Sequence, residues 1–335
     1  MRFALRVFLS LAVAAALCAG IVALWYFRAL RPVDEGQAEQ VLVTIAPGSS
    51  ARAIAECLQE QGLIRSARAF VLAARLGGYT RHFVAGDYLV SAAMSSPEII
   101  KLIASGKTAT RQFTIPEGFT LAQIAARLEH EGICRAEQFL RYARSPRAAR
   151  SAPFEIPADS LEGYLFPDTY RVPYRATPEE VAGVMLARFK EKVADRYWAR
   201  AKKQGWRSLH EVVTLASIVE REAKLDEERP IIAQVFIKRL RMGMLLESCA
   251  TINYILGEQR PLTEADLAVD SPYNTYVHRG LPPGPICSPG EASVRAVVFP
   301  ANTDYLYFRA RGDGGHIFSR TFEEHLRAAE EVSAG

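Results

Sequence analysis

The rhythm of apolar and polar positions changes several times along the chain. From Val7 to Phe27 it is apolar for 21 residues, interrupted only by Ser10 and Gly20. About 20 such residues, at 1.5 Å rise each, cross a bilayer core. Trp25, Tyr26 and Phe27 close the run as an interfacial aromatic belt would. A cleaved signal peptide would carry an apolar region of only ~7–15 residues. The run therefore predicts a retained transmembrane anchor over 7–27, with 1–6 a cytoplasmic tail and the body outside, in an oxidising compartment.

Beyond a polar tether the pattern repeats itself with a period of 70 residues. Val43-Thr-Ile-Ala-Pro-Gly48 leads into a helix over 50–61 and Gly62; Phe113-Thr-Ile-Pro-Glu-Gly118 leads into a helix over 120–131 and Gly132. In each copy a short β-branched strand ends in a glycine turn, and Ser50 or Thr120 stands where a helix N-cap belongs. Ile54, Ala55 and Leu58, and likewise Ile124, Ala125 and Leu128, draw one apolar stripe. Gly62 and Gly132 stop the helices. Helices are also expected over 67–76 and 97–104, and a strand over 87–90. The strand-turn-helix pattern resembles LysM-related sugar-binding modules, although no aromatic-rich groove accompanies it; a structural spacer stays open beside sugar binding. The Pro-, Ser-, Ala- and Arg-rich stretch 144–160 is the expected domain boundary.

The second half is mixed. Pro178 to Lys203 reads as one long amphipathic helix, and Ser208 with Glu211 reads as a capping box. The helix so started runs through Leu215-Ala-Ser-Ile-Val-Glu-Arg-Glu222. It is apolar, yet ends in two carboxylates. On a 3.6-residue period Glu220 shares a face with Val213, Ala216 and Ser217, and Glu222 with Leu215, Ile218 and Val219. Apolar surroundings favour the protonated form of a carboxyl, which a general acid needs. The wheel does not choose between the two, and an exposed helix end is the plain alternative. Gly280-Leu-Pro-Pro-Gly-Pro-Ile-Cys-Ser-Pro-Gly290 is a stiff loop with little side chain, suited to close approach of a bulky ligand. A hairpin over 305–318 and a last helix complete the chain.

Charge and composition remove several function classes. The net charge of +4 comes from 41 basic against 37 acidic residues. Four of the arginines, at 2, 6, 28 and 31, precede the first acidic residue, Asp34. The body is thus neutral and lacks the basic footprint of a nucleic-acid binder. The cysteines at 18, 57, 134, 249 and 287 show no CxxC spacing, and no HExxH occurs. No metal site is expected.

The motifs Leu161–Tyr170, Leu215–Glu220, Val235–Leu240, Tyr273–Tyr276, Gly280–Ile286, Tyr305–Phe308 and Gly314–Phe318, in that order, resemble the MltG (YceG-like) family of endolytic murein transglycosylases. The resemblance covers nearly the whole chain. It implies an α+β fold: the N-terminal transmembrane helix, a LysM-like α+β module over 40–150, and an α+β catalytic domain over 155–335. It implies cleavage of the β-1,4 bond between N-acetylmuramic acid and N-acetylglucosamine, with a 1,6-anhydro end formed and no cofactor. The glutamate ending the Ala-Ser-Ile-Val-Glu run would be catalytic, which is Glu220. Substrate-binding candidates within the motifs are Ser217, Thr251, Tyr254, Asn274, Thr275 and Gly284. The family reading also implies the inner membrane as location, glycan strands as the partner, and penicillin-binding proteins as neighbours. A hydrolytic muramidase and a non-enzymatic wall-binding scaffold remain the alternatives.

Two departures from the family pattern involve cysteine. Cys249-Ala-Thr251 stands where the family has Asp-Pro-Thr, and Cys287 follows Ile286 where it has Ala or Ser. Against that pattern a Cys249–Cys287 disulfide tying the two loops is an expectation to be tested.

Overall fold

The computed structural model describes residues 2–334. Packing divides the chain into two compact units, 1–111 with 173–175, and 112–172 with 176–335.

The first unit begins with helix α1 (Arg2–Ala29). Over Phe8–Ala29 it has a mean hydropathy of 2.3, and its most apolar stretch is not buried against protein. It is long and apolar enough to cross a bilayer, as membrane anchors and signal sequences both are. Then follow β1 (Gln40–Ile45), α2 (Ala51–Glu60), α3 (Ala67–Leu76), β2 (Gly86–Ser91) and α4 (Ser96–Ala104). The strands pair antiparallel from Gln40 opposite Ser91 to Ile45 opposite Gly86. Val43 and Ile45 point inward at the two-residue strand period and meet Ile54, Leu58, Phe70, Tyr88 and Ile103 in the core. Ser50 caps α2 as its position predicts, and Ser66 caps α3 in the same way.

The second unit contains β3 (Thr110–Thr114) from Gln112 onward, α5 (Leu121–His130), α6 (Ala136–Ala143), α7 (Pro146–Ser151) and β4 (Thr169–Pro173) as far as Val172. Helices α8 (Pro178–Phe189) and α9 (Asp195–Lys203) are one helical run interrupted by a π-turn at Lys190–Ala194. Next come α10 (Leu209–Glu222), α11 (Arg229–Arg241), α12 (Cys249–Leu256), α13 (Glu264–Leu267) and α14 (Glu291–Val298). The antiparallel hairpin β5 (Tyr307–Ala310) and β6 (His316–Ser319) and helix α15 (Phe322–Ala334) end the chain. β3 pairs with β4.

The domain boundary expected at 144–160 lies instead between Arg111 and Gln112. The second copy of the repeat belongs wholly to the second unit: Phe113, Ile115, Ile124 and Leu128 share one core with Val213, Ile218 and Phe236. The supposed linker is ordered for a local reason. Pro146 starts α7, a position where its missing N–H costs nothing, and Ala148 is fully buried.

Helix α10 runs through the middle of this core. Every residue from Val212 to Val219 is buried, so the helix is enclosed on all sides, with Thr214 and Ser217 its only polar side chains there. Ser208 caps it through the Glu211 N–H at 3.2 Å. The expected capping box is incomplete, because the Glu211 carboxylate turns to the Arg207 N–H and guanidinium.

Candidate active site

The last turn of α10 delivers two carboxylates in different directions. Glu222 accepts the Ser248 hydroxyl and, at 3.4 Å, the Ala250 N–H, so it anchors the start of α12. Burial raises its carboxyl above the ordinary range. Glu220 faces the start of α14. Its Oε2 accepts the Gly290 N–H at 3.0 Å and the Ser293 hydroxyl at 2.8 Å, and lies 3.4 Å from Arg229 Nη1.

That cluster has a direction. Arg229 Nη1 donates to Ser293 Oγ at 2.6 Å while Nε donates to Asp226 at 2.9 Å. Guanidinium is donor only, so the Ser293 proton is left for Glu220. Gly290, Ser293 and Arg229 all converge on Oε2, whereas among the described residues none hydrogen-bonds Oε1.

The turn of the second repeat copy brings in another carboxylate. Gly118 sits at φ +75°, donates to Ser288 O at 2.9 Å, and receives the Arg221 guanidinium on its carbonyl at 3.4 Å. A Cβ built there would lie 3.7 Å from Glu220 Cγ. The neighbouring Glu117 lays its carboxyl on Gly290, where any Cβ would overlap it. Burial, and then the Glu220 charge, raise the Glu117 carboxyl, with Arg229 opposing.

The Gly280–Gly290 loop is fastened from behind. Ile286 N–H donates to Ser217 Oγ at 3.0 Å. His210 joins Tyr164 OH at 2.6 Å to Pro283 O at 2.7 Å. Pro283 O only accepts, so the Nε2 side of the ring carries the proton and Nδ1 receives the tyrosine. Gly163, at φ +83°, packs so closely under Pro285 that no Cβ fits. The Leu161–Tyr170 motif is thereby a support for this loop.

Beside the loop is a cavity of ≈ 530 Å³ with Gln123, Arg144, Glu162, Arg221, Tyr254 and Tyr273 in its wall. The Tyr254 and Tyr273 rings are 5.1 Å apart. Glu162 accepts the Leu121 N–H at 3.0 Å, and burial pushes its carboxyl up to about 7. A larger cavity of ≈ 710 Å³ lies by Trp206, His210 and Arg279; neither Glu117 nor Glu220 lines either cavity, and Arg221, one residue on from Glu220, is in the wall of the smaller one.

Of the six candidate substrate-binding residues, only Tyr254 lines this polar cavity. Ser217, Thr251, Asn274, Thr275 and Gly284 are buried in the scaffold. Thr251 and Thr275 bond each other at 2.9 Å, and Asn274 spends its amide on Leu267 O, Val269 O and Tyr276 N–H. Their polar atoms satisfy the protein, which is what burial requires. The Cys249–Cys287 disulfide is also corrected: both thiols are free. Cys249 is exposed and contacts Tyr276 OH at 3.0 Å, while Cys287 is buried against Ser217 O at 3.4 Å. Sequence reasoning missed Glu117, Arg229 and Ser293, and named Gly290 only as part of the Gly280–Gly290 loop. One signal was available for Glu117: it replaces Pro47 of the first repeat copy.

The family model for YceG-like proteins matches residues 43–331. The chain belongs to the YceG-like family. It is 34% identical over 318 residues to the endolytic murein transglycosylase of Bacillus subtilis (strain 168), spanning 90% of this chain and 87% of that one. It is 33% identical over 337 residues to the protein of the same name from Streptococcus pneumoniae serotype 2, with 91% of this chain matched to 61% of that one. A crystal structure of a YceG-like protein from Listeria monocytogenes superposes with a TM-score of 0.60 at 35% identity, covering 87% of this chain and 99% of that one. This YceG-like chain thus shares sequence with all three and fold with the Listeria protein.

Proposed function

We propose that this protein is an endolytic peptidoglycan lytic transglycosylase with Glu220 as its acid/base. The observation that carries the residue assignment is the asymmetric anchoring of Glu220. One oxygen is fixed by Gly290, Ser293 and Arg229, and the other is left for chemistry. The relatives' name, endolytic murein transglycosylase, supports the reaction class.

Protonated Glu220 gives its proton to O4 of N-acetylglucosamine as the C1–O4 bond of N-acetylmuramic acid breaks. The carboxylate then takes the proton of the C6 hydroxyl as O6 bonds C1, closing a 1,6-anhydro ring. No water is consumed, and the nucleophile is already part of the reacting sugar, which is the advantage of intramolecularity. A typical glycosidase needs two carboxylates to manage acid and nucleophile or base; here one residue returns to its starting state. Positive charge developing at C1 faces either carbonyls of the Gly280–Gly290 loop or the substrate's acetamido oxygen.

The cavity walled by Tyr254 and Tyr273 is suited to a sugar ring, with Gln123 and Arg144 offering hydrogen-bond donors. We read α1 as a retained single-pass anchor of the inner membrane, with the body on the outer side. The β1–α2–α3–β2 order supports a LysM-like reading of the first unit. Neighbouring penicillin-binding proteins rest on family resemblance alone.

Digestion of purified peptidoglycan by wild type and Glu220→Gln tests the reading, with products weighed by mass spectrometry. Wild type should release chains whose muramoyl ends weigh one water less than reducing ends, and the variant should release none. Reducing ends would mean hydrolysis; activity retained in the variant would sink the Glu220 assignment.

A further inference from the structure

The anchoring of Glu220 poses a chemical difficulty. Two hydrogen-bond donors and a guanidinium on one oxygen stabilise the carboxylate form. The first step nevertheless requires a proton there. Something in the site must work against those donors.

Glu117 is placed to do so. Gly290 lies between the two carboxyls: its N–H holds Glu220 Oε2, and its Cα face carries the Glu117 carboxyl. The close fit needs glycine for space and not for conformation, since Gly290 has φ −70°. The turn that presents Glu117 is fixed on both sides, by the Gly118–Ser288 and Ser288–Phe119 bonds and by Arg221 on Gly118 O. The first repeat copy has the same turn, with Gly48 at φ +79°, but proline in place of the carboxylate. The backbone device is therefore general to the repeat, and the charge is particular to the copy beside Glu220.

We propose, on the reading that Glu220 is the acid/base, that Glu117 is a second carboxylate of the centre, a positioning residue that shares a single proton with Glu220, so that the pair keeps that proton until the glycosidic oxygen takes it. Two carboxylates sharing one small site release their protons as a pair and resist carrying two charges. Burial first, and the Glu220 charge second, raise the Glu117 carboxyl. The other charged or titratable groups bearing on the pair are Arg229 from the start of α11, Asp226 from the turn before it, Arg221 from α10, and the Cys287 thiol. Arg229 favours the charged forms, Asp226 opposes them, and the buried Cys287 thiol stays neutral.

The proton balance follows. The singly protonated pair gives its proton to O4 as C1–O4 breaks, leaving two negative charges beside the cationic C1. The pair then takes the O6 proton as O6–C1 forms and is again singly protonated. The doubly charged stage coincides with the greatest positive charge on the sugar, where it is most useful.

The test is the pH profile of kcat/KM for release of anhydro-ended glycan by the full-length protein in detergent. Glu117→Gln keeps size and polarity but removes the charge. Its basic limb should move about one pH unit toward acid, with activity at pH 7.5 down roughly tenfold and KM nearly unchanged. Gly290→Ala leaves every charge in place but displaces the Glu117 carboxyl, and should move the limb the same way. A limb that stays put in Glu117→Gln, whatever the loss of rate, would mean that Glu117 only supports the turn, and would overturn the proposal. If Glu220→Gln retains full activity, the acid/base assignment falls first and the proposal with it.

Discussion

Glu220 and Arg229 form an ion pair at 3.4 Å in which the side chains are 7% and 9% exposed. A pair so far out of water is not a free gain in stability, because desolvating both ions offsets much of their attraction. Breaking it on one side is costly. Arg229→Met should destabilise the second unit by about 3–5 kcal/mol, as expected for an uncompensated buried carboxylate. Thermal denaturation measures this. The double variant Glu220→Gln/Arg229→Met should recover most of the loss, since the stranded charge is gone. Additive losses would show that the two side chains are independent.

Ser293 separates catalysis from stability more cleanly. Its hydroxyl passes the Arg229 interaction on to Glu220 over 2.6 and 2.8 Å. Ser293→Ala removes one buried hydrogen bond to a charged group, about 1.5–3 kcal/mol. Turnover should fall by roughly ten- to a hundredfold with little change in KM. Ser293→Thr, which keeps the hydroxyl, should lose less.

The cysteines give a chemical check on the loops. All five are free, so alkylation of the unfolded, unreduced protein should add five groups by mass. In the folded protein Cys287, buried with its thiol raised well above the ordinary range, should resist alkylation. Cys249→Ser should leave the thermal midpoint unchanged with or without reductant.

The elements that the sequence made plain are those whose signal is local. The serines and threonines at 50, 120 and 208 cap helices where the spacing placed them, and the glycines at 62 and 132 end helices at φ +70° and +65°. Glu220 could be singled out from the order of motifs, but not from the helical wheel. What separates it from Glu222 is long-range: one meets α14, the other α12. The same limit explains the substrate-binding candidates. Thr251, Asn274 and Thr275 are polar residues in a dense motif, and no one-dimensional pattern tells a ligand contact from a buried knot that satisfies itself. Glu117 was hidden for the opposite reason. Its turn matched the first repeat copy so well that both copies were assigned to one module. The core, through Ile115 and Leu128, instead gives the second copy to the unit that holds Glu220.

Glu162 offers a test of how the site is supported. Its carboxyl is pushed up to about 7 from 4.5, chiefly by burial. Between those values the unfolded chain has lost the proton that the folded chain still holds. Folding therefore becomes less favourable as pH rises through this window, and the effect levels off above about pH 7. For one fully buried group the total is about 3 kcal/mol. Glu162→Gln keeps an oxygen for the Leu121 N–H at the start of α5 but has no proton to lose. Compared by urea denaturation from pH 4.5 to 8, the variant should gain on wild type by up to this amount, with the gain complete near pH 7. A constant difference across the range would mean that Glu162 is ionised in the folded protein throughout. The Leu121 N–H would then be held by a carboxylate, the stronger partner for a helix N-terminus, and α5 would be fixed behind the Glu117 turn by charge instead of by a neutral hydrogen bond.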